Sequence, residues 1–99
     1  MHRLVYAPEA EAQLVALYFY IAAAASPKIA ANYTDAIVKQ CERLKTFPLR
    51  GTQRDDIRTG LRVIGFRRRV SIAFEVTDDV VTILGILYGG QNFEAAYGE

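Results

Sequence analysis

Ninety-nine residues, 52% of them apolar and 23% charged, describe one small folded domain, residues 1–99, and exclude a two-domain chain or a disordered one. The net charge is only +1. It is unevenly laid out: residues 1–41 balance three basic side chains against three acidic ones, residues 42–69 hold nine against three, and residues 70–99 hold no Lys, Arg or His against five carboxylates.

Arg3-Leu4-Val5-Tyr6 alternates polar and apolar and then meets Pro8, which predicts a short strand running into a helix start. Glu9 and Glu11 fall in that first turn, where the helix dipole favours them. At about 100° per residue, Leu14, Leu17, Tyr18 and Ile21 share one core stripe with Ala10. Val15 and Phe19 lie on one flank of it and Tyr20 on the other. The helix is therefore apolar around more of its girth than one core needs. It should end near Ala24, because Ser26-Pro27 is an N-cap followed by proline at the first helical position. The second helix carries Ile29, Tyr33, Ile37, Cys41 and Leu44 on one stripe and should end near Phe47-Pro48. A break this short between helices of equal length predicts an antiparallel hairpin.

Residues 48–60 show no periodicity, and an irregular stretch this long in a small domain is expected to be functional or mobile. Leu61–Phe66 is a predicted strand and Arg67-Arg68-Arg69 a turn. Val70, Ile72, Phe74 and Val76 alternate with more polar positions, a half-buried strand. Residues 77–79 are a turn, and Val80 to Tyr88 is a more continuously apolar strand expected near the sheet centre. Residues 89–99 are expected to form a loose tail or a short closing segment. The expected fold is α+β: an N-terminal strand, then a two-helix antiparallel hairpin packed on a mainly antiparallel sheet with a C-terminal three-strand meander.

Little of the usual catalytic chemistry is available. His2 is the single histidine and Cys41 the single cysteine, so neither an internal disulfide nor a His/Cys zinc site is expected, and no metal or cofactor. Cys41 lies on the apolar stripe of the second helix and should be buried. Asp55-Asp56 and Asp78-Asp79 sit beside turn signals and are expected to serve the turns. The longest apolar run, Leu14 to Ala25, is too short to span a bilayer and has no basic segment before it, so neither a membrane partner nor a signal peptide is expected, and the cytoplasm is the expected compartment. The basic middle is the informative feature. Either the acidic end neutralises it at home, or it faces an acidic partner. Direct nucleic-acid binding is left open, because the arginines come without the interleaved aromatic residues of single-strand binding modules.

The element order, with Phe47-Pro48-x-x-Gly51, Ile57-Arg58-x-Gly60-Leu61-Arg62 and the closing Ile83-Leu84-Gly85-Ile86-Leu87-Tyr88-Gly89-Gly90, resembles the ParE branch of the RelE/ParE toxin superfamily over residues 3–90. The resemblance implies the toxin of a type II toxin–antitoxin system of the plasmid-stabilising kind. It further implies DNA gyrase as the target, stalled cleavage complexes as the outcome, and a ParD-like antitoxin that wraps along the toxin in a hetero-oligomer. On that reading there is no catalytic residue. Arg58, Arg62, Arg67, Arg68 and Arg69 are the candidates for target docking, and Val15, Phe19 and Tyr20 for antitoxin binding. The sister RelE branch cleaves messenger RNA on the ribosome, which needs a base, an acid and cations. Here the last strand and tail hold no basic side chain, leaving Tyr88 and Tyr97 as proton carriers; a nuclease would rely on Arg58, Arg62 and Tyr88. Many related chains carry a His and an Arg near that strand's end, where this one has Tyr88, Gly90 and Gln91. A ribosome-dependent endoribonuclease and an inactive, antitoxin-binding remnant are therefore the alternatives.

Overall fold

The computed structural model describes residues 1–89. Seven elements follow in chain order: β1 (Arg3–Tyr6), α1 (Pro8–Ala24), α2 (Pro27–Arg43), β2 (Thr52–Gln53), β3 (Arg62–Phe66), β4 (Val70–Thr77) and β5 (Val80–Tyr88). The strands form one sheet in the order β1-β5-β4-β3-β2. β1 runs parallel to β5, and every other pair is antiparallel, including the expected meander of β3, β4 and β5. The tail beyond Gly89, with Gly90, Gln91 and Tyr97, lies outside the described residues.

Local signals account for the helix boundaries. At α1, Ala7 supplies no side-chain cap; Pro8 instead removes one unpaired donor from the first turn. At α2, the Ser26 hydroxyl accepts the Ile29 N–H at 3.1 Å, and Pro27 follows at the first position. The predicted end of α2 near Phe47-Pro48 is too late. The helix stops at Arg43, and Leu44, Lys45 and Thr46 donate back only three residues, to Cys41, Glu42 and Arg43. This tightened winding satisfies the last carbonyls of the helix.

The helical hairpin covers one face of the sheet. Ala10 and Leu17 of α1 and Ile37 and Cys41 of α2, with Leu44, close over Ile72, Phe74, Val81 and Ile83. Two residues of the expected stripes lie outside this core. Ile29 is 53% exposed: it sits one turn before Tyr33, which already packs on Phe66 at the last paired row of β3, so it overshoots the sheet. Tyr18 is half-buried and packs edge-on against Phe19 at 5.4 Å.

The irregular stretch has a structural task. It contributes the unpredicted strand β2, then turns across the sheet face opposite the helices and buries Ile57 and Leu61 against Ala73 and Leu87. Hydrogen bonds pin the turn: Arg54 N–H to the Leu61 carbonyl at 2.8 Å, and Gly60 N–H to Asp55 Oδ1 at 2.8 Å. Arg54 grips Asp56 through both oxygens at 3.0 Å and holds its carboxyl below the usual carboxylate range. Gly51, immediately before β2, has φ +77°, and a Cβ there would collide with the Val63 carbonyl oxygen, so only glycine fits.

A bulge in β5 explains its continuous apolar run. Ala73 pairs with Gly85 but Phe74 with Ile83, leaving Leu84 as the extra residue. The alternation reverses there: Val81 and Ile83 face the helices before it, Ile86 after it, while Leu84 and Leu87 serve the opposite face.

Cys41 is buried as expected, and the Tyr6 hydroxyl lies beside its thiol without a well-formed hydrogen bond. Burial lifts the Cys41 thiol from 9.0 to about 11 and the Tyr6 phenol well above its ordinary range. The folded state therefore holds both protons more tightly than the unfolded chain. That stability is whole below about pH 9 and is lost as pH rises through 11. Thermal midpoints measured across alkaline pH should stay level to about pH 9 and then fall; a midpoint level beyond pH 11 would contradict this burial.

Candidate functional site

The fold separates the five arginines proposed for target docking. Arg58 is exposed on the turn that covers the face away from the helices. Arg62 opens β3 and is half-buried; its guanidinium donates to the carbonyls of Leu49 and Arg50 at 3.2 and 3.3 Å, bracing the segment before β2. Arg67, Arg68 and Arg69 form the tip of the β3–β4 hairpin, five residues further on, roughly 17 Å at 3.3 Å per residue. The set Arg58, Arg62 and Tyr88 therefore does not converge on one point, since Tyr88 lies at the hairpin end in register with Val70.

The hairpin tip is built at some cost. Arg67 and Arg68 both have positive φ, 48° and 63°, a conformation that disfavours side chains other than Gly, Asn and Asp. Such strain persists where surrounding structure imposes it, and it gathers at functional sites. The imposing structure is visible. Phe66, Val70 and Tyr88 form one row across β3, β4 and β5 on the helix side. Tyr33 of α2 meets Phe66 edge-on at 5.5 Å, and the Arg67 guanidinium lies 4.9 Å from the Phe66 ring centre and 5.6 Å from that of Tyr33. The Tyr33 hydroxyl is buried without a hydrogen-bond partner among the described residues. Burial raises its pKa and the Tyr88 phenol adds to the rise, while Arg67 and Arg69 act in the opposite sense. Arginines and aromatic rings that are apart in sequence are thus adjacent in space. The sequence pattern missed this, because the rings come from helices and from the far strand.

Next to the hairpin runs an open groove of 310 Å³ between α1 and β5. β1 pairs with β5 only as far as Ile83. Beyond it, Gln13 of α1 stands in for the missing strand: its Oε1 accepts the Ile86 N–H at 2.7 Å. Tyr20, 60% exposed, and Tyr88 flank this groove with ring centres 5.7 Å apart. Tyr20 thus faces away from Val15 and Phe19, which are 55% and 65% exposed on the other flank of α1, Val15 beside Leu14 and Val38. A second apolar surface escaped the sequence reading: Phe47 and Leu49 are 57% and 71% exposed, and Arg50 stacks on Phe47 at 5.1 Å. Among the described residues no cluster of His, Cys, Asp or Glu has the make-up to hold a metal ion, and no helix is long and apolar enough to cross a membrane.

The family model described as the ParE toxin of the type II toxin–antitoxin system, parDE, matches residues 4–93. The chain belongs to the ParE toxin family. A solved structure, described as the chromosomal ParDE TA system from P. aeruginosa, is similar at 27% identity and a TM-score of 0.79, covering 90% of this chain and 97% of that one. No curated protein matches. The α+β fold of this ParE-family chain, two helices on a five-stranded mixed sheet, agrees with that similarity.

Proposed function

We propose that this ParE-family chain is a cytoplasmic toxin that poisons DNA gyrase by binding, without covalent chemistry of its own, and is neutralised by a ParD-like antitoxin. Family membership supports the toxin reading, and similarity to the P. aeruginosa ParDE system supports an antitoxin partner. One observation carries the choice against a nuclease. The arginine hairpin offers cations, yet the groups nearest it are phenols, and Tyr33 is pushed upward in pKa rather than toward neutrality. A phenol so placed is a poor base at pH 7, and no Lys, Arg or His occurs after Arg69 to replace it.

Expression of the chain without antitoxin tests the reading. Filamentation, an SOS response and gyrase-dependent DNA breaks are expected. Intact DNA with fragmented messenger RNA would instead establish the ribonuclease, and full growth during soluble overexpression the inactive remnant.

The antitoxin is proposed to lie along α1 over Val15 and Phe19, which leave large apolar area exposed on an otherwise well-packed domain; Tyr20, expected to share that surface, lies on the opposite flank at the groove. Phe19→Asp removes no core contact and should leave the fold intact. It should weaken antitoxin binding by roughly tenfold or more, as measured by titration calorimetry. Unchanged affinity in the folded variant would remove the antitoxin from that flank.

A further inference from the structure

The hairpin tip and the α1–β5 groove are neighbours. Tyr88 stands in register with Val70 at the base of the hairpin, and the Gly89 N–H donates to the Arg69 carbonyl at 2.8 Å. On the hairpin side are three consecutive guanidinium groups, and no described residue makes an ion pair with any of them. On the groove side are two aromatic rings and a floor of Ala16, Leu17 and Ile86, with no carboxylate in the lining. Gln13 adds one directed group. Its oxygen is committed to the Ile86 N–H, so its amide nitrogen is the end left for a ligand.

We propose that this composite surface binds single-stranded DNA, with Arg67, Arg68 and Arg69 on successive phosphates and an unpaired base stacked against Tyr20 and Tyr88. The two halves match the two halves of a nucleotide. Arginine forks suit phosphate oxygens, and the exposed Tyr20 ring with the half-buried Tyr88 ring beside it suits the flat face of a base. The Gln13 amide reaches the base edge as a donor. A duplex keeps its base faces inside the stack and can use only the arginines. An acidic peptide likewise engages the cations and leaves the ring shelf idle. Stacking holds the Arg67 guanidinium over Phe66 and Tyr33, and the turn built on the positive φ angles of Arg67 and Arg68 leads into Val70, the register partner of Tyr88 at the groove. The choice of DNA over RNA rests on the gyrase reading, since a cleavage complex holds cut strands; the surface itself is argued without it.

Fluorescence anisotropy of the purified chain tests this with no gyrase present, so either reading can fail alone. The probes are a labelled oligothymidylate of roughly a dozen nucleotides, the same length as duplex and as oligouridylate, and an oligoglutamate peptide. Oligothymidylate is expected to bind at least about tenfold more tightly than the duplex or the peptide, and more tightly than the RNA. The logarithm of its affinity should fall with log salt at a slope of about −2, as for three phosphates neutralised on a single strand. Tyr20→Ala, at an exposed position, should reduce oligothymidylate affinity roughly tenfold and leave duplex binding unchanged. Arg68→Ala should lower both and flatten the salt slope. No binding, equal binding of single strand and duplex, tighter binding of RNA or peptide, or an unaltered Tyr20→Ala variant would each overturn the proposal.

Discussion

Replacing Phe74 by alanine should destabilise the chain by about 3–5 kcal/mol. Phe74 is fully buried in β4, the central strand of the meander, and it heads the largest buried side chains. It contacts the core that both helices share with the sheet. The cost has two parts, the lost transfer of an aromatic ring from water and the cavity left among neighbours that cannot fully collapse. The pairing at Phe74 is also where β5 bulges, so the backbone there is already committed to one register. Domains of this kind are stable by only about 5–15 kcal/mol in total, so a large share of the margin disappears. Urea unfolding followed by circular dichroism should show a much lower midpoint with a similar slope. A loss below about 1 kcal/mol would mean that Phe74 is not the centre of the core.

Reversal of Arg67-Arg68-Arg69 to glutamate should abolish toxicity while the protein still folds. No described ion pair is broken by the change, and the residues are exposed. A like-charge surface facing DNA or an acidic target is repelled where the native one is attracted. The variant loses the stacking of Arg67 on Phe66 and Tyr33, worth about 0.5–1 kcal/mol at such a site, which is too little to unfold a domain. A second substitution separates stability from function. Arg68→Gly relieves a left-handed side chain, a gain of about 1–2 kcal/mol, against about 0.5–1 kcal/mol of extra backbone entropy. It should therefore be slightly more stable and less toxic. Growth assays beside thermal melts read both properties. Full toxicity in the triple glutamate variant would exclude the hairpin from target docking.

Spacing made the two helices and β4 legible, and a continuous apolar run marked β5, which is buried on both faces of the sheet. Ser26-Pro27 marked the α2 start through local chemistry alone. The end of α2 was not legible, because Leu44 continues the stripe although the backbone has already tightened. Strand β2 is two residues long and carries no pattern. The task of the irregular stretch was hidden for a related reason: Ile57 and Leu61 are isolated apolar residues whose partners, Ala73 and Leu87, lie on distant strands. The candidate site was legible only by halves. Arg67 to Arg69 were conspicuous as a run, and Tyr20 as an apolar surplus on α1. Their meeting with Tyr33, Tyr88 and Gln13 depends on the parallel placement of β1, which stops at Ile83 and leaves the edge of β5 for α1 to cover.

Incubation of the purified toxin with DNA gyrase and supercoiled plasmid, then with translating ribosomes, measures the central proposal most directly. Linear DNA carrying covalently attached gyrase should accumulate in proportion to toxin, should disappear when antitoxin is added, and should be absent with the triple glutamate variant. Transcripts on the ribosomes should remain whole. Multiple-turnover cutting of those transcripts with gyrase unaffected would contradict the binding mechanism proposed for this chain.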